Sequence, residues 1–165
     1  MNELDPKRLR LGEIVAGASA ALLLVLMFAL PWYGLTSNLS ETASHEGAPT
    51  SWNGWNGLLS LRWLLLVTIV AALALIYFQA ARKGPGIPIV LSLIVTLLGG
   101  LSTLALIYRV LINPPTHQLA AAYLGLLSAI ALVYGGYLSM REEGIARRDA
   151  PSEIPIVRPG QESGG

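Results

Sequence analysis

Four long apolar stretches, separated by polar segments, set the pattern of this chain. They run approximately over Ile14–Leu35, Leu58–Ala81, Pro88–Ile112 and Leu119–Met140. A hydrocarbon core of about 30 Å is crossed by about 20 apolar residues of helix, at about 1.5 Å rise per residue. Each stretch is therefore long enough to span a membrane. The pattern predicts an all-α fold, an integral membrane four-helix bundle with up-down topology.

The polar segments divide the chain into a membrane domain and a tail. Residues 1–144 are predicted to form the four-span domain, with residues 36–57 as its one sizeable outer loop. The turns at 81–87 and 113–118 are short, so the second and third helices, and the third and fourth, should pack as hairpins, with Thr116 as an N-cap. Residues 145–165 mix Pro with Glu, Arg, Ser and Gly, which predicts a disordered cytoplasmic tail.

Composition agrees with a membrane protein and excludes several classes of function. The 165 residues are 53% hydrophobic and 13% charged, whereas a soluble domain is about 25% charged. A net charge of +1 gives no basic excess for nucleic acid, so no nucleic-acid partner is expected. The chain has no cysteine, which excludes disulfides, thiolate metal sites and thiol nucleophiles.

The cations predict which side of the membrane each segment faces. Of the eleven Lys and Arg residues, three precede the first stretch, two lie between the second and third, and four follow the fourth. The positive-inside rule therefore places both termini in the cytoplasm, in a multi-pass plasma membrane protein. All four tryptophans lie at or beyond the opposite, outer boundary, as an aromatic belt would.

The two remaining cations, Arg62 and Arg109, lie within the outer ends of the second and third stretches. Charged groups at membrane depth are costly and often functional. One interpretation is that both side chains extend to lipid phosphates or outer carboxylates. The other is that they form a paired outer-face site for an anion or a lipid.

The outer loop contains the most specific local pattern, Ser-Trp-Asn-Gly-Trp-Asn-Gly over residues 51–57. Asn-Gly pairs favour turns, and Asn56 could alternatively cap the second helix. Trp52, Asn53, Trp55 and Asn56 therefore form either an interfacial anchor or a recognition surface for a partner.

Small and weakly polar residues follow one face of the third and fourth helices. Such residues let membrane helices approach closely, which predicts a packed interior; the alternative is a polar permeation path lined by their hydroxyl groups. The packing candidates are Ser92, Thr96, Gly99, Thr103, Gly125, Ser128 and Gly135.

Candidates for chemistry are few. Glu13 is the only acid near an apolar stretch, at its inner end, so the ionisable relay of proton- or cation-coupled transport is not evident. His45, Glu46 and His117 are too few and too dispersed for a convincing metal site. We expect no metal, no cofactor and no enzymatic activity, since nucleophile–base and phosphate-loop motifs are also missing.

Two segments are specific, Tyr-Arg-Val-Leu-Ile-Asn-Pro-Pro over 108–115 and Gly-Gly-Tyr-Leu-Ser-Met-Arg-Glu-Glu over 135–143. Together with several others, they resemble small four-helix actinobacterial membrane proteins whose function is unassigned. The resemblance covers about residues 8–144 and implies a bacterial plasma membrane protein with four spans. It implies no catalytic or binding residues.

The sequence thus favours a non-enzymatic structural or accessory membrane protein. Its expected partners are the lipid bilayer and either another membrane protein or a second copy of the chain. The alternative is a small transporter or channel subunit for anions or lipids, using Arg62 and Arg109.

Overall fold

Helices make up most of the protein. The computed structural model describes residues 11–80 and 87–148. The six α-helices in these ranges are α1 (Leu11–Ala29), α2 (Ser37–His45), α3 (Gly54–Gly57), α4 (Arg62–Ala80), α5 (Ile87–Ile107) and α6 (Ala120–Arg148). A π-helical turn, Tyr108–Ile112, continues α5.

Four of the helices are long and apolar enough to cross a membrane. This confirms that each of the four predicted apolar stretches contains a helix of sufficient length. They comprise 19 to 23 residues each, with mean hydropathy between 1.6 and 2.3. The segments are Leu11–Ala29, Arg62–Ala80, Val90–Ile112 and Ala120–Arg141.

A small antiparallel sheet joins these helices, and the prediction of an all-α fold omitted it. Its strands are β1 (Pro31–Gly34), β2 (Ser51–Asn53) and β3 (His117–Gln118), in the order β2-β1-β3. Tyr33 pairs with Trp52 on one side and with Gln118 on the other.

The first apolar stretch does not stay helical to Leu35, as its apolar composition suggested. Pro31 disfavours helical backbone at the preceding residue and cannot donate to the helix ladder, so α1 ends at Ala29. The aromatic residues that follow suit a strand, and they form the centre of the sheet. Similarly, α4 begins at Arg62 rather than at Leu58, after a hydrogen-bonded turn.

The last helix also differs from its predicted bounds. Thr116 does not cap it, because β3 intervenes and α6 starts at Ala120. At its other end α6 continues to Arg148, so residues 145–148 are helical rather than part of a disordered tail. The turn at 81–86, the first ten residues and the tail at 149–165 lie outside the described residues.

The four long helices surround a common core. Helix α1 packs against α4 and α6, and α5 packs against the same two helices, including both predicted hairpin neighbours. Leucine, isoleucine and alanine side chains fill the centre; the fully buried ones include Leu23, Leu65, Ile69, Leu75, Leu106 and Leu132.

Helices α1 and α6 approach closely where both carry glycine. A Cβ atom at Gly135 would lie 2.4 Å from the backbone nitrogen of Ala16, and one at Gly12 would lie 2.5 Å from that of Ser139. Only a hydrogen fits at either position.

Helices α4, α5 and α6 meet through small and hydroxyl-bearing residues. Thr68 and Ser102 share a buried 2.8 Å hydrogen bond between α4 and α5. A Cβ atom at Gly99 would lie 3.0 Å from side-chain atoms of Leu132 and Val133 on α6. Among the other packing candidates, Ser92 and Ser128 are buried and Thr96 and Thr103 partly buried.

Candidate functional site

The sheet, α2 and α3 together cover one end of the helix bundle, and we call this region the cap. It connects the last residue of α1 to the start of α4, and the end of α5 to the start of α6. Backbone hydrogen bonds from Leu119 to Trp32 (2.8 Å) and from Leu35 to Thr50 (3.0 Å) extend the sheet beyond its strands.

Trp32 is the central side chain of the cap. It is 0% exposed, and its indole Nε1 donates to the carbonyl of Leu26 at 2.8 Å. Gly54 and Gly125 lie against the ring, which leaves no room for a Cβ atom at either position. Gly125 thus serves the cap as well as the helix packing.

The cap also bonds to the ends of two long helices. The last four carbonyls of an α-helix have no partner within the helix. In α1, two of these are satisfied by cap side chains: Leu26 by Trp32, and Phe28 by Asn53 Nδ2 at 3.1 Å. At the end of α5, Gln118 Nε2 donates to the carbonyl of Val110 at 2.8 Å. The cap is therefore fixed to the bundle by directional bonds.

Tyr33 lies beside Trp32 and is equally buried, with 1% of its surface exposed. Its hydroxyl group is buried without a hydrogen-bond partner among the described residues. Burial raises the pKa of Tyr33 from 10.0 to about 12, and the nearby positive charge of Arg109 opposes part of the rise.

Tyr33→Phe should make the folded protein more resistant to alkali. In the wild type, the unfolded state loses the Tyr33 proton near its ordinary pKa, whereas the folded state keeps it until about pH 12. Between these values the folded state binds more protons, so its stability falls as pH rises. Thermal unfolding of both proteins from pH 9 to 12 measures how far the stability of each falls as the pH rises. An equal fall in Tyr33→Phe would contradict the raised pKa of Tyr33.

Arg62 is held by aromatic rings. Its guanidinium carbon lies 5.2 Å from the ring centre of Trp55 and 5.7 Å from that of Trp63. Trp55 in turn contacts Trp63 edge-to-face at 5.5 Å and stacks on Phe28 of α1 at 5.2 Å. Arg62 Nε is buried and has no hydrogen-bond partner among the described residues.

Arg109, the other predicted member of an anion site, has a different environment. It lies in the π-helical turn, and its Nη1 donates to the carbonyl of Asn113 at 3.3 Å. Its charge acts on Tyr33. The structure therefore gives Arg62 an aromatic enclosure and Arg109 a bond to the end of its own helix.

The four outer-loop candidates have distinct environments. Asn53 caps α3 by accepting from the backbone N–H of Asn56 at 3.0 Å, in addition to its bond to α1. Trp55 is partly buried within the aromatic cluster, and Trp52 is partly buried in β2. Asn56 is exposed. The most exposed element is α2, in which no residue is buried.

Acids and histidines of the cap provide little chemistry. Glu41, His45, Glu46 and His117 are all exposed. Within residues 11–80 and 87–148 no group of three His, Asp or Glu side chains is placed to hold a metal ion.

Glu13 is a feature that sequence reasoning underrated. It was placed merely at the inner end of the first stretch, yet it is 1% exposed, inside the bundle, where it has an interaction partner. The signal was its spacing: Glu13 lies three and seven residues before Ala16 and Ala20, and hence on the buried face of α1.

No family model, curated protein or solved structure matches this chain. The residues and their geometry therefore carry the functional argument.

Proposed function

We propose that this is a multi-pass protein of the bacterial plasma membrane, with up-down topology, both termini cytoplasmic and the cap outside. It acts as a non-enzymatic structural or accessory protein whose cap binds a membrane-protein partner. The cation distribution along the chain supports the orientation, because nine of eleven Lys and Arg residues fall in the sequence before α1, between α4 and α5, or from Arg141 onward, and none of these segments forms part of the cap.

The observation that carries the proposal is the attachment of the cap. Its bonds to the carbonyls of Leu26, Phe28 and Val110 hold it in one arrangement over the helix ends. A surface fixed in this way loses little conformational freedom on binding, which favours recognition. Within the cap, α2 is a helix in which no residue is buried.

The interior favours this function over transport. Trp32, Tyr33 and Leu58 each have at most 1% of their surface exposed at the cap end of the bundle. A permeation path past Arg62 and Arg109 would have to pass this packed layer. Further along, Leu23, Leu65 and other apolar side chains continue the packing.

A single-cysteine variant can test orientation and partner binding together, because the chain contains no cysteine. Ser44 is exposed on α2. We expect a membrane-impermeant photo-crosslinker to label Ser44→Cys in intact spheroplasts, and illumination to produce one discrete crosslinked product. Its mass distinguishes a second copy of this chain from another membrane protein.

Gln161→Cys is the control for sidedness, and it should react only after lysis. The cysteine-free parent controls for background labelling. Labelling of Gln161→Cys in intact spheroplasts would contradict the orientation. Efficient labelling of Ser44→Cys without any discrete product would contradict partner binding through α2.

A further inference from the structure

The cluster of Arg62, Trp55, Trp63 and Phe28 lies at the junction of the cap, α1 and α4. The stack of Trp55 on Phe28 adds an aromatic contact to the hydrogen bonds that attach the cap through Trp32, Asn53 and Gln118, but such a contact does not require a cation. The cluster combines one cation with three aromatic rings at the start of a 19-residue helix. Its composition therefore needs a separate explanation.

Positive charge from two sources meets at the start of α4. Arg62 is the first residue of α4, and the N–H groups at a helix N-terminus carry partial positive charge, although that of Arg62 itself donates to the carbonyl of Leu58 at 2.8 Å. A cation placed there is repelled, whereas an anion is attracted by both the helix and the guanidinium. Because the Nε atom is buried, an anion would have to bind at the terminal Nη groups of the guanidinium.

Apolar surface continues from the guanidinium along the helices. Trp63 is 58% exposed and Phe28 46% exposed. Leu59, just before α4, and Leu30, just after α1, are also exposed. An anion bound at Arg62 would therefore adjoin an exposed apolar face, which fits a molecule that carries both a phosphate and hydrocarbon chains.

We propose that Arg62, enclosed by Trp55 and Trp63, binds the phosphate of an outer-leaflet phospholipid, with an acyl chain lying against Trp63 and Phe28. Cation–π contacts with both rings hold the guanidinium in this position, so that its remaining N–H groups are preorganised for phosphate oxygens. The site depends on the proposed function in one respect, because it requires the cap end to lie at the outer interface.

Binding of brominated phosphatidylglycerol to the purified full-length protein in detergent tests the site, with quenching of tryptophan fluorescence as the signal. We expect Arg62→Gln to weaken binding by about tenfold, because it removes a charge-assisted contact to phosphate. Arg62→Lys keeps the charge but loses the planar stack, and should weaken binding by roughly threefold. Arg141 is an exposed arginine in the C-terminal part of α6, so Arg141→Gln should leave binding unchanged.

Two further binding measurements on the wild-type protein identify the ligand without any substitution. Brominated diacylglycerol, which has the same chains and no phosphate, should bind more weakly than phosphatidylglycerol. Inorganic phosphate should not displace the phospholipid, because it lacks the acyl chains.

Three results would overturn the site: equal binding by wild type and Arg62→Gln, equal binding of diacylglycerol, or full displacement by inorganic phosphate. Lipid binding by the purified protein involves no partner. Its failure would therefore leave the crosslink from Ser44→Cys unaffected, and loss of that crosslink would leave lipid binding unaffected.

Discussion

Gly135→Ala is expected to destabilise the protein by about 1–3 kcal/mol, although it adds a single methyl group and raises helix propensity. The new Cβ atom would lie 2.4 Å from the backbone nitrogen of Ala16 and 2.8 Å from the carbonyl oxygen of Gly12. Both are backbone atoms, so no side-chain rotation relieves the overlap. Helices α1 and α6 must move apart instead, and the contacts along their whole interface weaken.

Gly100→Ala is the matched control. Gly100 lies within α5, and a Cβ atom there would meet no atom within 4 Å. The same substitution should leave stability unchanged or raise it by up to about 1 kcal/mol through helix propensity. Reversible unfolding in mixed micelles of increasing denaturing detergent compares the two. Equal stability of both variants would mean that α1 and α6 do not depend on the close approach at Gly135.

The long helices could be predicted because their length and apolar composition leave few alternatives. A run of about 20 apolar residues has few alternatives when every backbone group needs a partner within the segment. The spacing of small residues similarly identified Gly99 and Gly135 as packing positions, and both meet a neighbouring helix closely. Hydropathy did not find the end of α1, since aromatic residues such as Trp32 and Tyr33 are also common at the ends of membrane helices.

The cap could not be read from periodicity, because its strands have at most four residues. Its bonds join residues far apart in the chain, such as Asn53 and Phe28, which are 25 positions apart. The Trp-Asn-Gly pattern predicts a turn. It does not predict that Asn53 caps both the start of α3 and the end of α1. Arg62 was singled out by its charge, whereas its enclosure by Trp55 and Trp63 emerges only from the fold.

Trp32→Ala should have the largest effect of any substitution in the cap, about 3–5 kcal/mol of lost stability. Trp32 follows the end of α1 and is 0% exposed, so the substitution removes a large, fully buried ring. The substitution would leave a cavity between Gly54 and Gly125, and would remove the donor that satisfies the carbonyl of Leu26.

Two further variants separate the contributions of Trp32. Trp32→Phe keeps most of the ring and loses the N–H group, so its cost should be about 1–3 kcal/mol for the unsatisfied carbonyl. Tyr134→Ala removes an aromatic side chain of α6 that is 58% exposed, and it should cost under about 1 kcal/mol. Unfolding in mixed micelles gives the stabilities on one scale.

The same variant connects the cap to the proposed function. If Trp32 fixes the cap on α1, Trp32→Ala combined with Ser44→Cys should give less crosslinked product at conditions where the helices remain folded. Helix content from circular dichroism establishes that condition. A large loss of stability with undiminished crosslinking would mean that α2 recognises its partner without the cap being held in place. Loss of both would show that recognition depends on the single arrangement that Trp32 imposes.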